Sequence, residues 1–206
     1  CGGRVGHPMH TVQQGGNFRY SDADNDNVTI DHNTITQNGG LDAAGGGLAL
    51  HTGSDGYVVT DNFVCGNFTN SSGAGIAHFG LSEDGLIADN TVLFNENFNQ
   101  GTTVNGGGIL VAGLPAFGCP RDPLTGAQDP NCLVNPEQTL SPGSGSVVVS
   151  GNLIKGNSAG AGDGAGIRLA RINGQDVDSK KVKGNDVLKV GHTIDVVNNM
   201  IVDNVA

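Results

Sequence analysis

The sequence predicts an all-β fold, a right-handed parallel β-helix, from three observations: a recurring asparagine motif, a glycine-led apolar motif alternating with it, and two aliphatic columns at fixed offsets. Asn-x-x-x-x-Asn occurs as NTITQN at 33–38, NFVCGN at 62–67, NTVLFN at 90–95, NLIKGN at 152–157 and NMIVDN at 199–204. Constant internal spacing marks a structural repeat. Two residues after each leading Asn stands Ile35, Val64, Val92, Ile154 or Ile201, and three before it stands Ile30, Val59, Ile87, Val149 or Val196. The glycine motif follows the first four copies as GGGLAL at 45–50, GAGIAH at 73–78, GGGILV at 106–111 and GAGIRL at 164–169.

Each repeat reads as a glycine-led strand, a turn such as TGSDG at 52–56, a second strand, an Asn corner and a third short strand. Strands this short, alternating apolar and polar, bury their inward faces only when repeats stack and every strand pairs with its copies above and below. The leading residues Asn33, Asn62, Asn90, Asn152 and Asn199 are assigned to structural corners. Asparagine tolerates left-handed backbone angles there, and its amide can bond the backbone or the Asn of the next coil.

The first two Asn-to-Asn intervals are 29 and 28 residues, the length of one coil, and the next two are 62 and 47. The excess maps to polar excursions at about 113–146 and 171–191. The expected organisation is therefore an irregular lead-in over 1–27, then a β-helix over 28–206 of about five coils of 28–29 residues, with three short strands each. At ~4.8 Å between strands the rod is about 20–25 Å long. The last repeat lacks its glycine strand and no segment caps either end, so the sequence reads as part of a longer chain. End-to-end self-assembly through the open coils is the other outcome.

Thirty-five glycines with no tryptophan argue against an ordinary packed globule. A formal charge of −10 argues against nucleic acid and anionic lipid as partners and suits cations. No apolar run approaches the ~20 residues of a membrane span. Cys119 and Cys132 bracket the proline-rich CPRDPLTGAQDPNC, where a disulfide would remove entropy from a loop with no apolar periodicity. That pairing implies an oxidising, extracellular location; a zinc site is the rival, and no histidine lies in the loop to serve it. Cys1 is left as a partner for Cys65.

Over about residues 28–206 these repeats resemble the right-handed parallel β-helix superfamily typified by pectate lyases. Ile154-Lys155-Gly156-Asn157 followed by Gly164-Ala165-Gly166-Ile167 is also similar to the repeats of bacterial polymorphic outer-membrane proteins. An aliphatic residue replaces their Phe, and GGG or GAG replaces GGA, which argues for a bacterial relative of the architecture rather than membership of that family. The pectate-lyase resemblance implies a polysaccharide groove along one outer face, lined by carboxylates with or without Ca²⁺ and a basic residue.

That row is missing from the glycine strands, whose outward residues read Ala49, Ala77, Leu110, Arg168 and then His51, Phe79, Ala112, Ala170. Just before the Asn corners stand His32, Asp61, Asp89, Gly151 and Asn198, and polar corner solvation accounts for them against a paired-carboxylate site. Asp22, Asp24 and Asp26 alternate in SDADNDN like the start of a calcium loop. Asn27 replaces that loop's glycine and Asn33 its bidentate Glu, so a solvated acidic turn competes with the calcium reading. His7, Met9 and His10 offer copper ligands on a terminal segment. His78 has inward parity, where a histidine bonded to backbone is ordinary.

The leading expectation is a non-catalytic, secreted or cell-surface structural or binding segment, contacting glycan or protein through loops 113–146 and 171–191. The alternative is a truncated polysaccharide lyase or epimerase whose catalytic coils lie elsewhere.

Overall fold

The computed structural model describes residues 25–41, 44–113, 143–174 and 191–206, together with the strand backbones at 3–5, 10–14 and 17–21. It is all-β, with no helix among the described residues. The first sheet takes its strands in the order β1 (Gly3–Val5), β7 (Leu48–His51), β11 (Ile76–Phe79), β15 (Ile109–Ala112) and β18 (Ile167–Ala170). The second runs from β4 (Thr29–Asp31) through β8 (Val58–Thr60), β12 (Gly85–Ala88) and β16 (Val147–Ser150) to β19 (Ile194–Val197). The third runs from β5 (Thr34–Thr36) through β9 (Phe63–Cys65), β13 (Thr91–Leu93) and β17 (Leu153–Lys155) to β20 (Met200–Val202). All pairings in these sheets are parallel, each strand bonding to its counterpart in the neighbouring repeat, consistent with a β-solenoid.

Register follows the aliphatic columns. Ile30 pairs with Val59, Val59 with Ile87, Ile87 with Val149 and Val149 with Val196. Ile35, Val64, Val92, Ile154 and Ile201 align in the same way. The central members of both columns are fully buried, while Val196 and Ile201 at one end of the stack are exposed. Leu48, Leu50, Ile76, Ile109 and Val111 complete the core from the glycine strands.

Four features depart from the expectations. Residues 1–27 are not wholly irregular: β1 extends the glycine sheet, and β2 (His10–Gln14) pairs antiparallel with β3 (Asn17–Ser21). Each repeat also has a fourth contact, because two-residue strands β6 (Gly39–Gly40), β10 (Phe68–Thr69) and β14 (Glu96–Asn97) form a short parallel sheet after the second Asn. The excursions are narrower than 113–146 and 171–191. Gly113 N–H donates to Ala170 O, and Ser144 N–H donates to Ile172 O, which ties their margins into the stack.

The fourth departure concerns the outward side of the glycine sheet, which is not an open surface. Ala77, Leu110 and Ala112 form a second buried apolar cluster, with Ala44, Phe79 and Ala170 packed against it. Left-handed Gly73 and Gly106, at φ 76° and 72°, bring the chain so close over Ala77 and Leu110 that a β-carbon on either would press on them.

Candidate functional site

Two asparagine ladders hold the repeats together. In the first, the backbone N–H and Nδ2 of Asn33, Asn62, Asn90 and Asn152 each donate to Oδ1 of the next Asn, ending at Asn199, at 2.9–3.1 Å. Asn38, Asn67, Asn95, Asn157 and Asn204 repeat the pattern at the second Asn of the motif. Nδ2 also reaches back to a carbonyl of the preceding repeat, as from Asn62 to Ile30 O at 2.8 Å. One amide thus ties together three levels of the stack.

The left-handed conformation falls on the residue before the Asn, not on the Asn itself. His32, Asp61, Asp89, Gly151 and Asn198 have φ of 53°, 54°, 56°, 66° and 55°. Gln37, Gly66, Phe94, Gly156 and Asp203 form the matching column at the second corner. The preceding residue turns the chain, and Asn is needed for its side-chain amide: a carboxylate cannot donate and a hydroxyl has one hydrogen, whereas the amide accepts at Oδ1 and donates with two hydrogens from Nδ2.

A third ladder had no counterpart in the sequence reading. Asp26 Oδ1 accepts from Asp55 N–H at 3.2 Å, Asp55 Oδ1 from Glu83 N–H at 2.8 Å, Glu83 Oε2 from Ser146 N–H at 2.8 Å, and Ser146 Oγ from Thr193 N–H at 3.2 Å. His192 Nδ1 sits 2.9 Å from the other Glu83 oxygen. Asp26, one of the three candidate calcium ligands, is therefore a ladder acceptor; Asp22 and Asp24 lie outside the described residues. So do Cys119, Cys132 and Cys1, while Cys65 is a half-buried free thiol in β9. The side chains of His7, Met9 and His10 are likewise not described.

Inside the stack His78 is fully enclosed. Its Nε2 lies 2.7 Å from Ser144 O and 2.9 Å from Gly80 O. Two carbonyl acceptors require the proton on Nε2, so in the neutral ring Nδ1 accepts from Tyr57 Oη, 2.9 Å away. Burial lowers the His78 pKa below its ordinary value, opposed by the bonds to Ser144 and Gly80. Burial also drives the Tyr57 pKa far above its ordinary value. Both groups are buried and bonded to each other as neutral structural partners. The Tyr57 ring has space because Gly85 lies beside it, where any β-carbon would strike the ring.

The one group of potential metal-binding side chains among the described residues is exposed, at the first Asn corner. Asp31, His32 and Asp61 each present a ligand atom within 4.8 Å of the others. His32 Nδ1 lies 2.7 Å from Asp31 Oδ1, which also accepts from Thr60 Oγ1 at 3.1 Å. His32 and Asp61 were singled out in the sequence as corner residues; Asp31 joins them through the parallel register that places it beside Thr60. Asp89, the second aspartate of that column, leans over Gly151 in the next repeat and stands outside the group. Compared with known proteins, the chain matches no family model, no curated protein and no solved structure.

Proposed function

We propose that the chain is a right-handed parallel β-helix of about five coils, related to the pectate-lyase-like superfamily, that serves as a non-catalytic extracellular structural or binding segment. The observation that supports this most is the commitment of its regular polar side chains to coil-to-coil bonding. Ten asparagines stand in the two ladders, and carboxylates occupy a third. The face of the glycine strands, where the resemblance would put a substrate groove, carries buried Ala77, Leu110 and Ala112. Such a body suits a rigid spacer of secreted or cell-surface origin, with a Cys119–Cys132 disulfide closing one excursion. Glycan or protein partners would meet it at the loops within 113–146 and 171–191, since loops on rigid scaffolds carry recognition.

The test is an assay of polygalacturonate and alginate cleavage and epimerisation with and without Ca²⁺, run alongside binding to a glycan array. The proposal expects no turnover under either condition. Turnover that disappears in Asp61→Asn or Asp89→Asn would replace it with the reading of a truncated polysaccharide-active enzyme.

A further inference from the structure

We propose that Asp31, His32 and Asp61 form a binding site for one divalent transition-metal ion of the Zn²⁺ or Co²⁺ type, set on the outside of the stack at the first Asn corner. One ligand atom from each residue already lies within 4.8 Å of the other two. Metal–ligand bonds of about 2.1 Å place neighbouring donors roughly 3–3.4 Å apart. The His32–Asp31 separation of 2.7 Å is already close to that edge, and the exposed side chain of Asp61 need swing only a short way to close the triangle.

The backbone beneath these side chains is fixed before any ion arrives. His32 and Asp61 occupy equivalent left-handed positions in adjacent repeats, and His32 N–H donates to Thr60 O at 3.2 Å. The residues that follow them, Asn33 and Asn62, are joined at 2.9 and 3.1 Å in the first ladder. Only side-chain rotamers remain to be ordered on binding, which keeps the entropic cost low. Thr60 Oγ1 donates to the same Asp31 Oδ1 that faces His32, at 3.1 Å, and so holds the carboxylate in place, the kind of outer-shell support that ligating carboxylates ordinarily have.

The donor chemistry selects the ion. One imidazole nitrogen with two carboxylates matches zinc, cobalt, nickel or copper; calcium and magnesium prefer oxygen alone. Two carboxylates neutralise the ion's charge within a chain of formal charge −10. Three protein ligands at an exposed corner leave the remaining positions to water, or to a carboxylate or hydroxyl of a bound partner. In the metal-free protein the His32–Asp31 contact occupies the place the ion would take, so binding replaces that contact with metal–ligand bonds from both side chains.

The experiment is a calorimetric titration of Zn²⁺ into the 206-residue chain at pH 7.5 in a non-chelating buffer, repeated with Co²⁺ and followed by its visible absorption. The expected result is one saturable site, weakened at least about tenfold by His32→Asn and by Asp61→Asn and unchanged by Asp89→Asn. Asparagine tolerates the left-handed angle at all three positions, so melting temperatures without metal should match the unsubstituted protein. Should a variant fail to fold, paramagnetic broadening of the His32 ring protons by Co²⁺ in the unsubstituted chain reads the same contact. Absence of saturable binding, binding that all three variants retain, or broadening confined to His7 and His10 would overturn the proposal.

Discussion

Replacing Asn90 with alanine tests the ladders directly. Asn90 is 1% exposed, and its Oδ1 accepts from the backbone N–H and Nδ2 of Asn62 at 3.0 Å. Its Nδ2 donates to Val59 O, Ala88 O and Asn152 Oδ1 at 2.9–3.0 Å. Alanine leaves the Asn62 N–H without its acceptor in a closed interior, which costs about 1–3 kcal/mol, and forfeits the bonds of the two Nδ2 hydrogens, shared among three acceptors, at roughly 0.5–1.5 kcal/mol each. The expected loss is about 2–6 kcal/mol, a large share of what a domain of this size usually has. Asn33→Ala is the matched control. Asn33 is exposed, its Nδ2 donates to Asp31 O and Asn62 Oδ1, and among the described residues no buried donor depends on its Oδ1. That substitution should cost about 1 kcal/mol or less. Urea unfolding followed by far-ultraviolet circular dichroism measures both. Equal losses in the two variants, or a loss under about 1 kcal/mol in Asn90→Ala, would refute the claim that buried amides carry the stack.

Tyr57→Phe removes the hydroxyl that donates to His78 Nδ1 and should destabilise by about 1–3 kcal/mol in the same assay, with no cavity to account for the loss. The depressed His78 pKa makes stability depend on pH: below about 6.5 the unfolded chain takes up a proton that the folded chain resists. The melting temperature should therefore hold above that pH and fall as pH drops from 6.5 towards 5, and His78→Leu should flatten this part of the profile. Gly85→Ala should cost about 1–3 kcal/mol by forcing a β-carbon into the Tyr57 ring, and native-state hydrogen exchange should locate the loosening in β8 and β12.

The parallel pairing and both aliphatic columns were legible because they repeat one residue type at one spacing. Val64 over Ile35 and Ile87 over Val59 are visible as soon as the motifs are aligned. The Asp26–Asp55–Glu83–Ser146 ladder was not legible, because the role of backbone acceptor passes from Asp to Glu to Ser and leaves no conserved letter. The Tyr57–His78 bond joins two sheets across the interior, so no single-strand pattern encodes it. The covered outer face did leave a trace, in the apolar Ala49, Ala77, Leu110 and Ala112 at outward parity. The corner cluster was half legible. His32 and Asp61 share a column, but Asp31 stands one position earlier, at the end of β4, and joins them through the parallel register that sets it beside Thr60 and through its contact with His32.

The asparagine ladder also has a direction. Every rung presents its backbone N–H towards the later repeat and its Oδ1 towards the earlier one, so one end of a stack is a row of donors and the other a row of acceptors. Two acceptor ends brought together would set amide oxygens against each other, and two donor ends would leave N–H groups facing N–H groups. Any further layer, whether supplied by the same polypeptide or by another copy, must therefore arrive in the same orientation as the layers already present. The ladder works as a one-way gauge, admitting growth by translation and rejecting growth by inversion.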